Sequence, residues 1–267
     1  MLKNITMGQY YPVNSVIHRL DPRVKLLLTL VLIVAVFLAE TFVGYALLLA
    51  FIYAVARLAT VPFGMLIRGL KPLRLIVILT FLLNLFFTPG DTVWVSFWII
   101  RITQEAFLQA LFYSLRLVFL VLGTSLLTLT TSPVSLADAI EVLLGPLKKI
   151  HFPAHELAMM MTIALRFIPT LLEEADKIMK AQMARGADFE SGNLINRAKA
   201  MVPLLVPLFV SAFRRAGDLA MAMESRCYHG GEGRTRLRVL RLTRYDWIAV
   251  GVTGLFLALI ILEGIVL

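Results

Sequence analysis

The sequence predicts an all-α integral membrane protein, with about five transmembrane helices and long amphipathic helices on the cytoplasmic side between the fourth and fifth. Three observations predict it. Of 267 residues, 59% are hydrophobic and only 16% charged, with a mean hydropathy of +0.84, which calls for hydrocarbon rather than water as solvent. The apolar residues gather in runs long enough to cross a bilayer. The basic residues fall almost wholly on one side of those runs, so the net charge of +9 reads as positive-inside asymmetry and no nucleic-acid partner is expected.

The elements follow in order. No signal peptide is expected, because Met1 to Asp21 contains no apolar core. Leu26 to Ala56 is almost continuously apolar but broken near its middle by Glu40 and Thr41. As one helix it would measure roughly 46 Å against a hydrocarbon core of about 30 Å, so it is two short spans turning around Ala39-Thr41. Ile76 to Phe87 is the heart of a third span. Thr88-Pro89-Gly90-Asp91 makes a turn, Val93 to Ile102 alternates like strand, and Trp94 and Trp98 are interfacial anchors. Thr103 is the N-cap of a fourth span over Ala106 to Leu129, and Trp247 to Leu267 is the fifth.

Lysine and arginine placement orients this layout. Residues 1–25 hold four, residues 57–74 four and residues 132–246 sixteen; only Arg101 is outside and Arg116 within a span. Twenty-four of 26 on one side makes the N-terminus cytoplasmic. Three regions result: a membrane part over 1–132, cytoplasmic amphipathic helices over 133–233, and a basic segment with the last span over 234–267. The basic run Arg234 to Arg244 reads as a juxtamembrane belt that fixes topology.

The middle region is the unusual one. Leu136 to Leu144 is a short amphipathic helix closed by Gly145-Pro146. Leu157 to Leu172 is apolar except Thr162, Arg166 and Thr170, then turns charged and ends at Ala184-Arg185-Gly186. Asn196 to Arg226 repeats the plan and ends at Ser225-Arg226-Cys227. The apolar centres are short for spans and Pro169, Pro203 and Pro207 interrupt them, so both helices are expected to lie along the cytoplasmic interface. Eight of eleven methionines fall here, a composition that suits surfaces accepting different partners, although such residues also fill internal cores.

Chemistry of its own is not expected. No Gly-x-x-x-x-Gly-Lys-Ser/Thr phosphate loop and no Gly-x-Ser-x-Gly is present. His155-Glu156 begins like a zincin motif, but Met159 stands where the second histidine would be. Cys227 is the only cysteine, so no cysteine-built metal site exists and no cofactor is implied. Arg116, with Asn84 as a polar neighbour at membrane depth, is thin material for a substrate site and is read as structural. An arginine at the end of a half-apolar helix is instead a connector to another protein. Its guanidinium binds carboxylates bidentately and complements the helix dipole, while small neighbours let a partner approach closely.

The chain resembles EcfT, the shared transmembrane coupling component of energy-coupling factor (ECF) transporters. The resemblance runs nearly end to end and rests on Ser15-x-x-His18-Arg19-Leu20-Asp21-Pro22-Arg23-x-Lys25, Arg68-Gly69-Leu70-Lys71-Pro72-Leu73 and Thr130-Thr131-Ser132-Pro133. It continues through Pro146-Leu147-Lys148, Leu165-Arg166-Phe167-Ile168-Pro169, Ala181-Gln182-x-Ala184-Arg185-Gly186 and Ala222-Met223-Glu224-Ser225-Arg226-Cys227-Tyr228. It implies a non-catalytic subunit in a bacterial plasma membrane that joins two ABC-type ATPases to a substrate-binding membrane subunit for vitamin or other micronutrient uptake. Arg185 and Arg226 are then the ATPase-docking arginines, flanked by Ala184, Gly186, Ser225 and Cys227. Gly186 supplies a left-handed helix stop; Cys227 does not do so cheaply, so the second helix is expected to run on toward Gly230. The alternatives are a self-sufficient secondary transporter, for which no internal repeat is visible, and a membrane enzyme, for which no catalytic constellation exists.

Overall fold

The computed structural model describes residues 10–89, 92–97, 100–150, 152–187, 189, 194–230 and 239–266. Its helices are α1 Val16–Arg19, α2 Pro22–Leu38, α3 Phe42–Leu58, α4 Phe63–Leu70, α5 Arg74–Phe87, α6 Gln104–Thr130, α7 Pro133–Leu144, α8 Ala154–Ala184, α9 Leu194–Glu224 and α10 Arg244–Val266. The one sheet among the described residues is an antiparallel hairpin of β1 Val93–Phe97 and β2 Ile100–Thr103. It sits where the sequence alternates like strand. The chain forms two compact units, one over Ile140–Arg238 and the other over Gly8–Ala139 with Val239–Leu267.

In the second of these units the 26–56 run is indeed two helices. α2 stops at Leu38, and Thr41 restarts the chain by accepting the Gly44 amide on its hydroxyl at 3.2 Å. Glu263 on α10 accepts the same amide at 3.1 Å, which ties the far end of the chain to this turn. The third span is longer than its apolar heart. α4 and α5 run on through a 3-10 turn at Lys71–Leu73, where Pro72 removes an amide donor, so Phe63–Phe87 is one nearly continuous segment. Arg68, Lys71 and Arg74 therefore stand on helix rather than loop. Thr103 caps α6 by accepting the Ala106 amide, as its position predicts. α10 begins at Arg244, one turn before Trp247.

The core of this unit lies where α2, α3, α6 and α10 meet, around Ala35, Val36, Leu48, Ile52, Leu122 and Ile260. Gly123 lets α6 approach α2: a Cβ there would stand 2.9 Å from Leu32 Cδ2. Phe51 stacks on Phe256 with ring centroids 4.2 Å apart. Many outward-facing side chains are large and apolar. Phe87 is 79% exposed and Ile265 76%, an arrangement stable only where lipid or a partner replaces water. Among the described residues four helical segments are long and apolar enough to cross a membrane: Phe63–Phe87, Gln104–Thr130, Ala154–Ala184 and Arg244–Ile265. Phe42–Leu58 is a shorter apolar helix.

In the other unit α8 and α9 are equal in length at 31 residues each. Both carry their expected prolines inside the helix: Pro169 in α8, Pro203 and Pro207 in α9. They pack against each other. Met160, Met161, Met183, Met201 and Met221 on these helices are exposed, so they present surface rather than fill a core. Gly90, Asp91, Trp98 and the basic residues Arg234, Arg236 and Arg238 lie outside the described residues, as does the side chain of Trp94.

Candidate functional site

The two arginine triplets end their helices in the same way. Arg185 is the C-cap of α8. The Gly186 amide donates to Met183 O at 3.0 Å and the Ala187 amide to Gln182 O at 3.0 Å. Those two bonds, with Gly186 at φ +89, make a Schellman closure. At the end of α9 the Cys227 amide donates to Glu224 O at 2.8 Å and the Tyr228 amide to Met223 O at 3.0 Å. Cys227 has φ +54. The two closures have the same hydrogen-bond pattern at matching positions, with Arg226 in the place of Arg185.

This corrects one expectation. The second helix does not run on toward Gly230; it stops at Glu224, and Cys227 takes the left-handed turn itself. A Cβ in that region costs roughly 1–2 kcal/mol. Two satisfied carbonyls offset the cost, since orphan acceptors at a helix end otherwise need water or a cap.

Arg185 and Arg226, with Ala184, Gly186, Ser225 and Cys227, are all exposed. The Ser225 hydroxyl is turned back onto Ala222 O at 3.0 Å, which leaves the arginine the foremost polar group of its triplet. Among the described residues neither guanidinium has an ion-pair or hydrogen-bond partner in the chain. Each is a permanent cation on the negative end of a helix dipole, carried on a backbone fixed by its closure. Behind the tips the helices are joined by charge: Arg215 on α9 donates to Glu174 on α8 at 2.8 Å.

The polar residues of the first motif do structural work in the other unit. Lys25, only 7% exposed, donates from Nζ to His18 O at 3.1 Å and Thr130 O at 2.9 Å, and so joins α1, α2 and the end of α6. Asp246, 1% exposed, accepts the Asp21 amide at 2.8 Å and the Thr243 amide and hydroxyl at 2.6 and 2.7 Å. Asp21 caps α2 and pairs with Arg23 at 2.7 Å, while Arg23 also donates to Leu240 O. Burial pushes the Asp21 carboxyl up, but the paired guanidinium outweighs it and the net shift is downward. His18 Nε2 donates to Tyr11 O at 2.9 Å, and its Nδ1 accepts from the Ser15 hydroxyl at 2.7 Å. Burial above all holds its pKa below the ordinary 6.5.

Asp246 escapes a reading by motif, although Thr243-x-x-Asp246 ahead of an apolar run is a capping-box signal. Arg116 and Asn84 do not form a site. Arg116 reaches Phe37 O and Ala39 O at 3.4 and 3.5 Å, and lies over the Phe37 and Tyr113 rings. It thus closes the end of α2. Asn84 donates instead to Thr80 O within α5. His155 pairs with Glu141 at 2.8 Å.

Known proteins bear on both units. The family model described as cobalt transport protein, CbiQ, matches residues 13–237. Energy-coupling factor transporter transmembrane protein EcfT of Thermosediminibacter oceani is 59% identical over 254 residues, covering 95% of this chain and 96% of that protein. EcfT of Clostridium kluyveri is 56% identical over 93% of both chains, and EcfT of Bacillus subtilis 50% identical over 99% of this chain and 98% of its own. The match includes both arginine-ended helices as well as the membrane helices, and the chain therefore belongs to the CbiQ cobalt-transport family, among the EcfT transmembrane components of energy-coupling factor transporters.

Proposed function

We propose that the chain is the non-catalytic coupling subunit of its transporter, passing movement from two ABC-type ATPases to a separate substrate-binding membrane subunit. The observation that carries this is the pair of equivalent helix ends. Two exposed arginines without a partner among the described residues, set in matching Schellman closures at the ends of two helices, fit two equivalent acidic grooves on a pair of like subunits. ATP binding that draws such subunits together would draw the two tips together. The rigid apolar bodies of α8 and α9 then carry the displacement to the substrate-binding subunit, and the exposed methionines offer it a surface that can fit more than one partner.

In this reading the N-terminus and both tips are cytoplasmic, which the basic-residue bias supports. The half-apolar α8 then lies along the interface rather than across the bilayer, since crossing would carry Lys177, Lys180 and Arg185 through it. The transported solute is a micronutrient, with vitamins the class that the resemblance suggests. The test is Arg185→Glu with Arg226→Glu in the assembled transporter. Uptake is abolished while membrane insertion is intact; normal uptake by the double variant refutes the proposal.

A further inference from the structure

The Glu174–Arg215 pair occupies a particular place. Glu174 precedes Arg185 by eleven residues, and Arg215 precedes Arg226 by eleven. At 1.5 Å per residue the pair therefore stands about 16 Å behind each tip, on both helices. Eleven residues are about three turns, so each member shares a helix face with its own arginine. Arg215 donates to Glu174 at 2.8 Å. Ala175 beside it is buried.

We propose that the Glu174–Arg215 pair is the pivot of α8 and α9. It is a positioning pair that makes the two arms behind Arg185 and Arg226 equal. The inference rests on the docking role of those arginines and adds what fixes their relative motion. A charge-assisted contact joining two helices lets them rotate about it while resisting sliding. Equal arms convert closure of a symmetric ATPase pair into equal displacement at both tips. Without the pivot each tip still docks, but displacement is lost as slip between the helices instead of reaching the substrate-binding subunit.

The experiment uses the whole transporter, tagged on this chain and reconstituted into proteoliposomes, with substrate transported per ATP hydrolysed as the readout. Glu174→Ala keeps both ATPases on the tagged chain and continues to hydrolyse ATP, while transport per ATP falls about five-fold, the scale of one partly exposed ion pair. The exchanged pair, Glu174→Arg with Arg215→Glu, restores at least half of the ratio, which a merely structural lesion would not do. An unchanged ratio in Glu174→Ala overturns the pivot. So does loss of the ATPases from that variant, or an exchanged pair no better than Glu174→Arg alone. The docking role fails separately: if Arg185→Glu with Arg226→Glu keeps its ATPases, both ideas fall, whereas if it loses them and Glu174→Ala couples normally, only the pivot falls.

Discussion

Replacing Cys227 by glycine relieves the one residue of the two tips that holds a costly backbone conformation. Cys227 sits at φ +54 and Gly186, its counterpart, at φ +89. The left-handed penalty on a residue with a Cβ is roughly 1–2 kcal/mol, and the extra freedom glycine brings to the open state returns about 0.4–1 kcal/mol of that. The net gain is about 1 kcal/mol, or about five-fold in the local opening equilibrium. The sensitive reporters are the Cys227 and Tyr228 amides, whose bonds to Glu224 O and Met223 O at 2.8 and 3.0 Å form the closure. Hydrogen exchange of the peptide containing the end of α9 measures them directly. In Cys227→Gly these amides exchange about five-fold more slowly, and in Gly186→Ala the Gly186 and Ala187 amides exchange faster by a similar factor. Unchanged or faster exchange in Cys227→Gly would show that residue 227 is not held left-handed, and the equivalence of the two tips would fail with it.

Two further outcomes follow from the polar residues of the first motif. Lys25→Met leaves His18 O and Thr130 O without their donor in a buried setting; the cost is about 3 kcal/mol, seen as a drop of about 6–12 °C in the unfolding midpoint of the detergent-solubilised protein. His18 has its folded pKa lowered below 6.5, so its neutral form supports the fold. That support is full above the unfolded value and is lost as pH falls through the folded one. The unfolding midpoint therefore declines on acidification below about 6.5, and His18→Gln flattens that part of the profile; an equal slope in both proteins would show that another group titrates.

How much of this was legible depends on whether the deciding contact is local. The break at Ala39-Thr41 was legible because Thr41 caps its own helix three residues on. The same holds for Thr103 and for the glycine stop at Gly186. The stop at Cys227 was not, because the cost of a Cβ is a rule about one residue, whereas the closure is decided by two carbonyls satisfied together. Asp246 was missed because its decisive partner, the Asp21 amide, lies 225 positions away. Arg116 was assigned a side-chain neighbour, but its acceptors are backbone carbonyls at the end of α2, and a sequence does not display those. The Glu174–Arg215 pair was visible only as two charged stretches; the equal spacing to the two tips gains meaning once the helices are known to meet there.

The most direct measurement is the number of ATPase subunits that stay with the affinity-tagged chain on purification from the native membrane. Truncating one side of a desolvated arginine–carboxylate contact costs about 2–5 kcal/mol, enough to release a subunit. The wild-type chain is predicted to retain two, Arg185→Glu or Arg226→Glu alone one, and the double variant none. Two subunits on the double variant would contradict the central claim that the two cationic helix ends are where the ATPases attach.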